Sequence, residues 1–97
     1  DEMSADDLLK SAKRKIDLQK YKEAETDLQL YLTLADSNRD EALYLLGQIY
    51  EAPSNIKDIK KAIENYEMLM ENYPSSRFWD NANKRVIYLK RFYINIR

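Results

Sequence analysis

Two stretches of the chain can be laid over one another: YKEAETDLQLYL, residues 21–32, and IKKAIENYEMLM, residues 59–70. The overlay puts Ala24 on Ala62, Leu28 on Tyr66, Tyr31 on Leu69 and Asp36 on Pro74, an internal period of 38 residues. Apolar positions within each stretch recur at helical spacing rather than in the alternation of a strand. A unit of this length holds a pair of helices, and it buries its apolar face only by stacking on its neighbour. The period therefore restricts the chain to stacked helical hairpins.

Punctuation along the chain agrees with that restriction. Breaks at LQKY near Tyr21, ADSNR at 35–39, EAPSN at 51–55 and NYPSS at 72–76 leave five segments of helical length. Ser4 followed by Asp7 fits an N-cap with an acid at the third helical position, opening a helix to about Gln19 that carries Leu8, Leu9, Ala12 and Ile16. A second helix, about 22–35, aligns Ala24, Leu28, Tyr31, Leu32 and Ala35; a third, about 39–51, follows Ser37 or Asn38 as cap and carries Leu43, Leu46, Gly47 and Tyr50. Pro53 stops it, having no amide proton and a ring that clashes with the preceding turn. A fourth, from about Lys57 or Asp58 to Tyr73, presents Ile59, Ala62, Ile63, Tyr66, Leu69 and Met70, and after Pro74 a fifth begins near Arg77 and is expected to continue toward the terminus. Short linkers imply antiparallel neighbours. The expectation is one all-α domain of about five helices: a degenerate repeat over 1–36, a repeat over 37–76 and a terminal helix over 77–97.

The residue inventory narrows the chemistry. With no His and no Cys, zinc, thiol and imidazole chemistry are removed, which leaves carboxylates, Lys and Tyr as candidate catalytic groups. Acid pairs such as Glu64 with Glu67, or Asp6 with Asp7, fall on outer helix faces or in a first turn, where solvated charge is expected. The chain is expected to be non-catalytic, with no cofactor and no metal. No apolar run approaches the roughly 18 residues of a membrane-spanning helix. The net charge of −1 conceals an asymmetry: residues 1–76 carry 10 Lys/Arg against 16 Asp/Glu, and residues 77–97 carry 6 against 1.

Gly47 is the single glycine, and it stands inside a helix, where glycine costs about 1 kcal/mol relative to alanine. The pattern around it, Leu46-Gly47-x-x-Tyr50, then Ala62-x-x-x-Tyr66-x-x-Leu69 and Pro74, resembles the tetratricopeptide repeat consensus. The resemblance implies that Gly47 lies where the two helices of a hairpin cross most closely, so that a large residue packs across the missing side chain. The separation of Gly47 from Ala62 exceeds the family spacing by three residues, which implies an enlarged turn at EAPSNIKD. In the first unit Ala12 stands for the glycine and Lys15 for the tyrosine.

Further on, Tyr73-Pro74-Ser75-Ser76-Arg77-Phe78-Trp79 resembles the Tyr-Pro hairpin of bacterial envelope repeat proteins. The following Ala82-Asn83-Lys84-Arg85-Val86-Ile87-Tyr88-Leu89 is similar to the closing helix of the BamD lipoprotein family, which serves the machinery that inserts β-barrels into outer membranes. What this implies is a shortened member anchored by a lipidated cysteine upstream of Asp1, at the periplasmic face of the outer membrane. Its expected partner is the POTRA domains of a BamA-type barrel-assembly protein, with unfolded outer-membrane clients as further contacts. The alternative is a generic peptide-binding adaptor, including Tol-Pal and cell-division-associated periplasmic proteins, or a cytoplasmic one.

Two surfaces follow as candidates. Carrying over the repeat positions lines a concave groove with Asp6, Leu9, Lys13 and Ile16, with Glu41, Tyr44, Gln48 and Glu51, and with Asn81, Lys84, Tyr88 and Arg91, a groove mixed in charge and without the Lys/Asn/Arg set that clamps terminal carboxylates. The second surface is the last helix. Val86, Ile87, Tyr88, Leu89, Phe92, Tyr93, Ile94 and Ile96 occupy more of its circumference than one packed face needs. With Lys84, Arg85, Lys90, Arg91 and Arg97 around them, they suit a partner that offers an apolar patch within an acidic rim. Nucleic acid is a weaker reading of the same cations, opposed by the acidic remainder. RVIYLKRFYINIR also has the composition of a membrane-surface helix.

Overall fold

A computed structural model describes residues 4–94. Ile96, Arg97 and the side chain of Ile94, counted above in the terminal apolar and basic set, lie outside what is described. The described residues form five α-helices: α1 (Ala5–Asp17), α2 (Tyr21–Leu34), α3 (Arg39–Glu51), α4 (Ile59–Asn72) and α5 (Trp79–Leu89), the last running into a π-helical turn, Lys90–Ile94. No strand occurs among them. The fold is all-α, as expected.

Local chemistry sets the helix ends. The Ser4 hydroxyl accepts from the Asp7 N–H at 3.2 Å and the Asp7 carboxylate accepts from the Ser4 N–H at 3.4 Å, a capping box that satisfies two otherwise orphaned donors. α1 ends two residues before Gln19, which takes the left-handed conformation with φ 62°. Lys20 N–H then reaches the Lys15 carbonyl at 2.8 Å and Gln19 N–H the Ile16 carbonyl at 2.9 Å, a Schellman closure made without glycine. Asn38 occupies the cap position of α3 but is itself left-handed, φ 54°, and its side chain caps nothing. Arg39 organises this turn instead, its guanidinium donating to the Leu32 and Ala35 carbonyls at the end of α2 and to the Tyr73 hydroxyl at 3.2 Å. Asp58 caps α4 by accepting from Lys61 N–H at 3.1 Å.

α1 packs on α2 and α3 on α4, each pair a hairpin; α2 joins the hairpins by packing on α3, and α5 lies against α4. The overlaid residues share one role, since Ala24, Leu28 and Tyr31 in α2 and Ala62, Tyr66 and Leu69 in α4 are all fully buried. Ala42, Leu43, Leu46, Ile49 and Tyr50 of α3 complete the core between them. Tyr50 donates across the hairpin junction to the Glu25 carboxylate of α2.

Gly47 has the geometric cause that the sequence suggests. A Cβ built on it would stand 2.5 Å from Cζ and 2.7 Å from Cδ1 of Tyr66, well inside van der Waals contact. The ring of Tyr66 lies directly on the α3 backbone. Glycine at position 47 and tyrosine at position 66 are thus one packing solution, in which the helix accepts a propensity cost so that a large ring can be buried whole.

Candidate functional site

Glu41, Tyr44, Gln48 and Glu51 recur at i, i+3, i+7 and i+10 along α3, so one face of that helix carries all four. Tyr44 stacks on Phe78 with ring centroids 5.0 Å apart and leans on Tyr66 at 5.7 Å. At the other end Glu51 collects three donors: the Tyr66 hydroxyl at 2.6 Å, Arg85 Nε at 3.1 Å and Arg85 Nη2. Between these groups lies a cavity of about 360 Å³, lined by Tyr44, Gln48, Glu51, Ala52, Tyr66 and Arg85.

The electrostatics of this junction follow from burial and pairing. Burial, reinforced by the hydrogen bond to Glu51 and by its charge, pushes the Tyr66 hydroxyl far above the ordinary tyrosine range. The hydrogen bond to Glu51 holds the Arg85 guanidinium above its usual value, against the opposing effect of burial. Tyr66 and Arg85 both keep their protons at neutral pH, so each holds its hydrogen bond to Glu51 as a donor.

Charge along the face is layered. Glu41 pairs with Lys13 at 2.6 Å and with Arg77 at 3.9 Å, yet its side chain is only 12% exposed against 48% for Lys13 and 77% for Arg77. Glu51 is 16% exposed and its partner Arg85 40%. The carboxylates lie beneath the cations that neutralise them. Arg77 and Arg85 also sit over the rings of Phe78 and Tyr88, at 4.9 and 4.6 Å.

α5 buries Ala82, Val86 and Leu89, whereas Ile87, Tyr88, Phe92 and Tyr93 are between 43% and 54% exposed. Tyr88 and Phe92 pack ring on ring at 4.7 Å. Of the cations expected around them, Lys90 reaches back to Glu67 at 2.8 Å, Arg85 is committed to Glu51, and Lys84 and Arg91 are exposed with no carboxylate in ion-pair range among the described residues. Lys57, from the turn before α4, lies over the Tyr93 ring at 5.4 Å and joins this surface.

The two expected surfaces therefore meet at Arg85. It belongs to the helix expected to dock a partner, and it closes the cavity formed by the groove residues Tyr44, Gln48 and Glu51. Of the remaining groove positions, Lys13 contributes through Glu41, Asp6 and Asn81 are exposed, and Leu9 packs into the core instead of lining the face. Phe78, Arg77, Ala52 and Lys57 also belong to these surfaces, although the sequence pattern assigns none of them to either. The Leu46 and Tyr50 positions of the repeat pattern are buried, and Pro74 sits in the turn after α4. Among the described residues no group of three or more His, Cys, Asp or Glu side chains is placed to hold a metal ion, and no helix is long and apolar enough to cross a membrane.

The chain is 43% identical over 54 residues, 56% of its length, to an uncharacterized protein of Borreliella burgdorferi. It is 37% identical over 57 residues, 59% of its length, to an uncharacterized protein of Treponema pallidum. It spans 16% of the first relative and 11% of the second, a small part of either. No protein-family model and no solved structure matches it.

Proposed function

We propose that this chain is a non-catalytic protein-interaction scaffold of the tetratricopeptide kind, with α5 and its π-helical continuation as the docking element. The observation that carries the reading is the set Ile87, Tyr88, Phe92 and Tyr93, four large apolar side chains exposed on one short helical segment. Aromatic residues in such a patch supply most of the affinity of an interface, and the cations beside them guide encounter. Hairpin pairing and the fit of Tyr66 on Gly47 support the repeat assignment. The Tyr73-Pro74 hairpin and the 82–89 segment support the narrower assignment, a BamD-like subunit of the barrel-assembly machinery, lipid-anchored at the periplasmic face and docking POTRA domains.

A second reading, a groove-binding adaptor, is favoured by the cavity between Tyr44, Gln48 and Arg85. One experiment separates the two: pull-down from detergent-solubilised envelope with the native chain, an Ile87→Ser/Phe92→Ser variant and a Tyr44→Ala/Gln48→Ala variant, followed by mass spectrometry. Recovery of the barrel-assembly protein by the native chain and its loss with the α5 variant is the expected result. Retention of partners by the α5 variant and their loss with the groove variant would establish the adaptor reading instead. Absence of the barrel-assembly protein from the native sample would overturn the BamD assignment.

A further inference from the structure

From its sequence the groove is mixed in charge, whereas in the fold its cations are far more exposed than the carboxylates of α3. We infer that the face bearing Tyr44, Gln48 and Arg85 receives an acidic segment of a protein partner, a segment that also carries aromatic or aliphatic side chains. The inference rests on the scaffold reading above and names the chemistry of the ligand that it would hold.

The argument is one of access. The two carboxylates on this face, Glu41 and Glu51, are covered by the cations that pair with them, so an approaching chain meets Lys13, Arg77 and Arg85 first. Lys84 of α5 and Arg91 of its π-helical continuation, both exposed and flanking Tyr88 in sequence, add two further cations. Asp6 of α1 and Asp80 of α5 are exposed acids, but the five cations outnumber them, so a ligand carboxylate gains on balance. Beside the charges stand rings: Tyr44 stacked on Phe78, and Tyr88 tilted against Phe92. The cavity of about 360 Å³ between Tyr44, Gln48 and Arg85 admits a side chain. A planar bilayer cannot enter such a hollow. A nucleic-acid strand could stack on the rings, but the chain carries a net charge of −1, which opposes accumulation of phosphate.

Two pools of random peptides of about 12 residues, spanning roughly 40 Å when extended, test the inference. One is built from Asp, Glu, Phe, Tyr, Leu and Gly; the other has Lys and Arg in place of the acids. Binding of each labelled pool to the chain is read by fluorescence anisotropy. The acidic pool is expected to bind at least about tenfold better than the basic one, and to weaken as salt is raised. An Arg77→Gln/Lys84→Gln/Arg91→Gln variant, checked for intact helicity by circular dichroism, is expected to lose that preference, since none of the three holds the core. Equal binding of the pools, preference for the basic pool, or no binding of either overturns the inference. So does tighter binding of a thymidine oligonucleotide, or co-flotation with phosphatidylcholine–phosphatidylglycerol vesicles that the acidic pool fails to compete away. If the acidic pool does not bind while the Ile87→Ser/Phe92→Ser variant still loses its partner, only the ligand chemistry is wrong. If the pool binds and that variant loses nothing, the docking-helix reading is what fails.

Discussion

Gly47→Ala sets two effects of opposite sign against each other. Alanine is the better helix former by about 1 kcal/mol, and position 47 lies mid-helix, so propensity alone predicts stabilisation. Packing predicts the reverse, because the new Cβ would stand 2.5 Å from Cζ of Tyr66. The ring has to retreat by about 1 Å to reach ordinary contact, and it is fully buried with its hydroxyl held by Glu51 at 2.6 Å. Overpacking of this kind costs about 1–3 kcal/mol, and loosening a hydrogen bond to a charged acceptor about 1.5–3 kcal/mol more. After the propensity gain is subtracted, the net loss is about 1.5–5 kcal/mol, or a Tm lowered by roughly 7–25 °C for a domain of this size. Urea titration followed by circular dichroism measures it. The double variant Gly47→Ala/Tyr66→Leu sharpens the test, since it recreates the Ala12 and Leu28 combination that the first hairpin buries at the corresponding positions. It should be more stable than the sum of the two single changes by 1 kcal/mol or more, a coupling of about the size expected for residues in contact. A Gly47→Ala protein as stable as the native one, or strict additivity of the pair, would refute the claim that ring contact is the reason for glycine.

Alkaline titration gives a second expectation. Burial, with the hydrogen bond to Glu25 and its charge, raises Tyr50 to about 12, above its ordinary 10.0. The unfolded chain therefore loses this proton first, and stability present below pH 10 declines as pH rises through about 12, by about 1–2 kcal/mol once solvent screening of the part-buried hydroxyl is allowed for. Urea midpoints across that range should flatten in Tyr50→Phe. At the acid end, burial pushes the Glu25 carboxyl up, but the hydrogen bonds from Tyr50 and Lys22 and the charges of Lys22 and Lys61 outweigh it and hold the group below 4.5. Its contribution is present above pH 4.5 and is lost as pH falls through the lower folded value, so Glu25→Gln should show a shallower acid limb in the same titration. Gln19→Gly should raise the urea midpoint by an amount worth about 0.5–1 kcal/mol, because φ 62° strains any residue with a Cβ and the side chain is exposed. Arg85→Ala should speed amide exchange across α5 while leaving α1 and α2 unchanged, since its two bonds to Glu51 tie α5 to the second hairpin.

Which of these features could be read from sequence depends on how far along the chain their causes lie. Ser4 and Asp7 cap α1 by contacts three residues apart, and Asp58 caps α4 in the same way, so both ends are legible locally. Gly47 was legible for a different reason: a residue that local propensity disfavours points to a distant partner, and the resemblance to the tetratricopeptide consensus implied that the other helix of its hairpin supplies it. Where a local rule failed, a long-range contact had displaced it. Asn38 looks like a cap, yet Arg39 already ties the end of α2 to Tyr73, 34 residues on, and the asparagine is left to turn the chain. Gln19 hides a Schellman closure because the residue that betrays one is usually glycine. The groove misled most. Counting signs along α3 gives Glu41 and Glu51 full weight, but Lys13, Arg77 and Arg85 come from three other parts of the chain to cover them. A linear sequence records how many charges a face receives, whereas the fold decides which of them a ligand can touch. Arg85 shows the consequence: as one of a run of cations it suggested a free docking rim, and its bond to Glu51 makes it the wall that joins α5 to the groove.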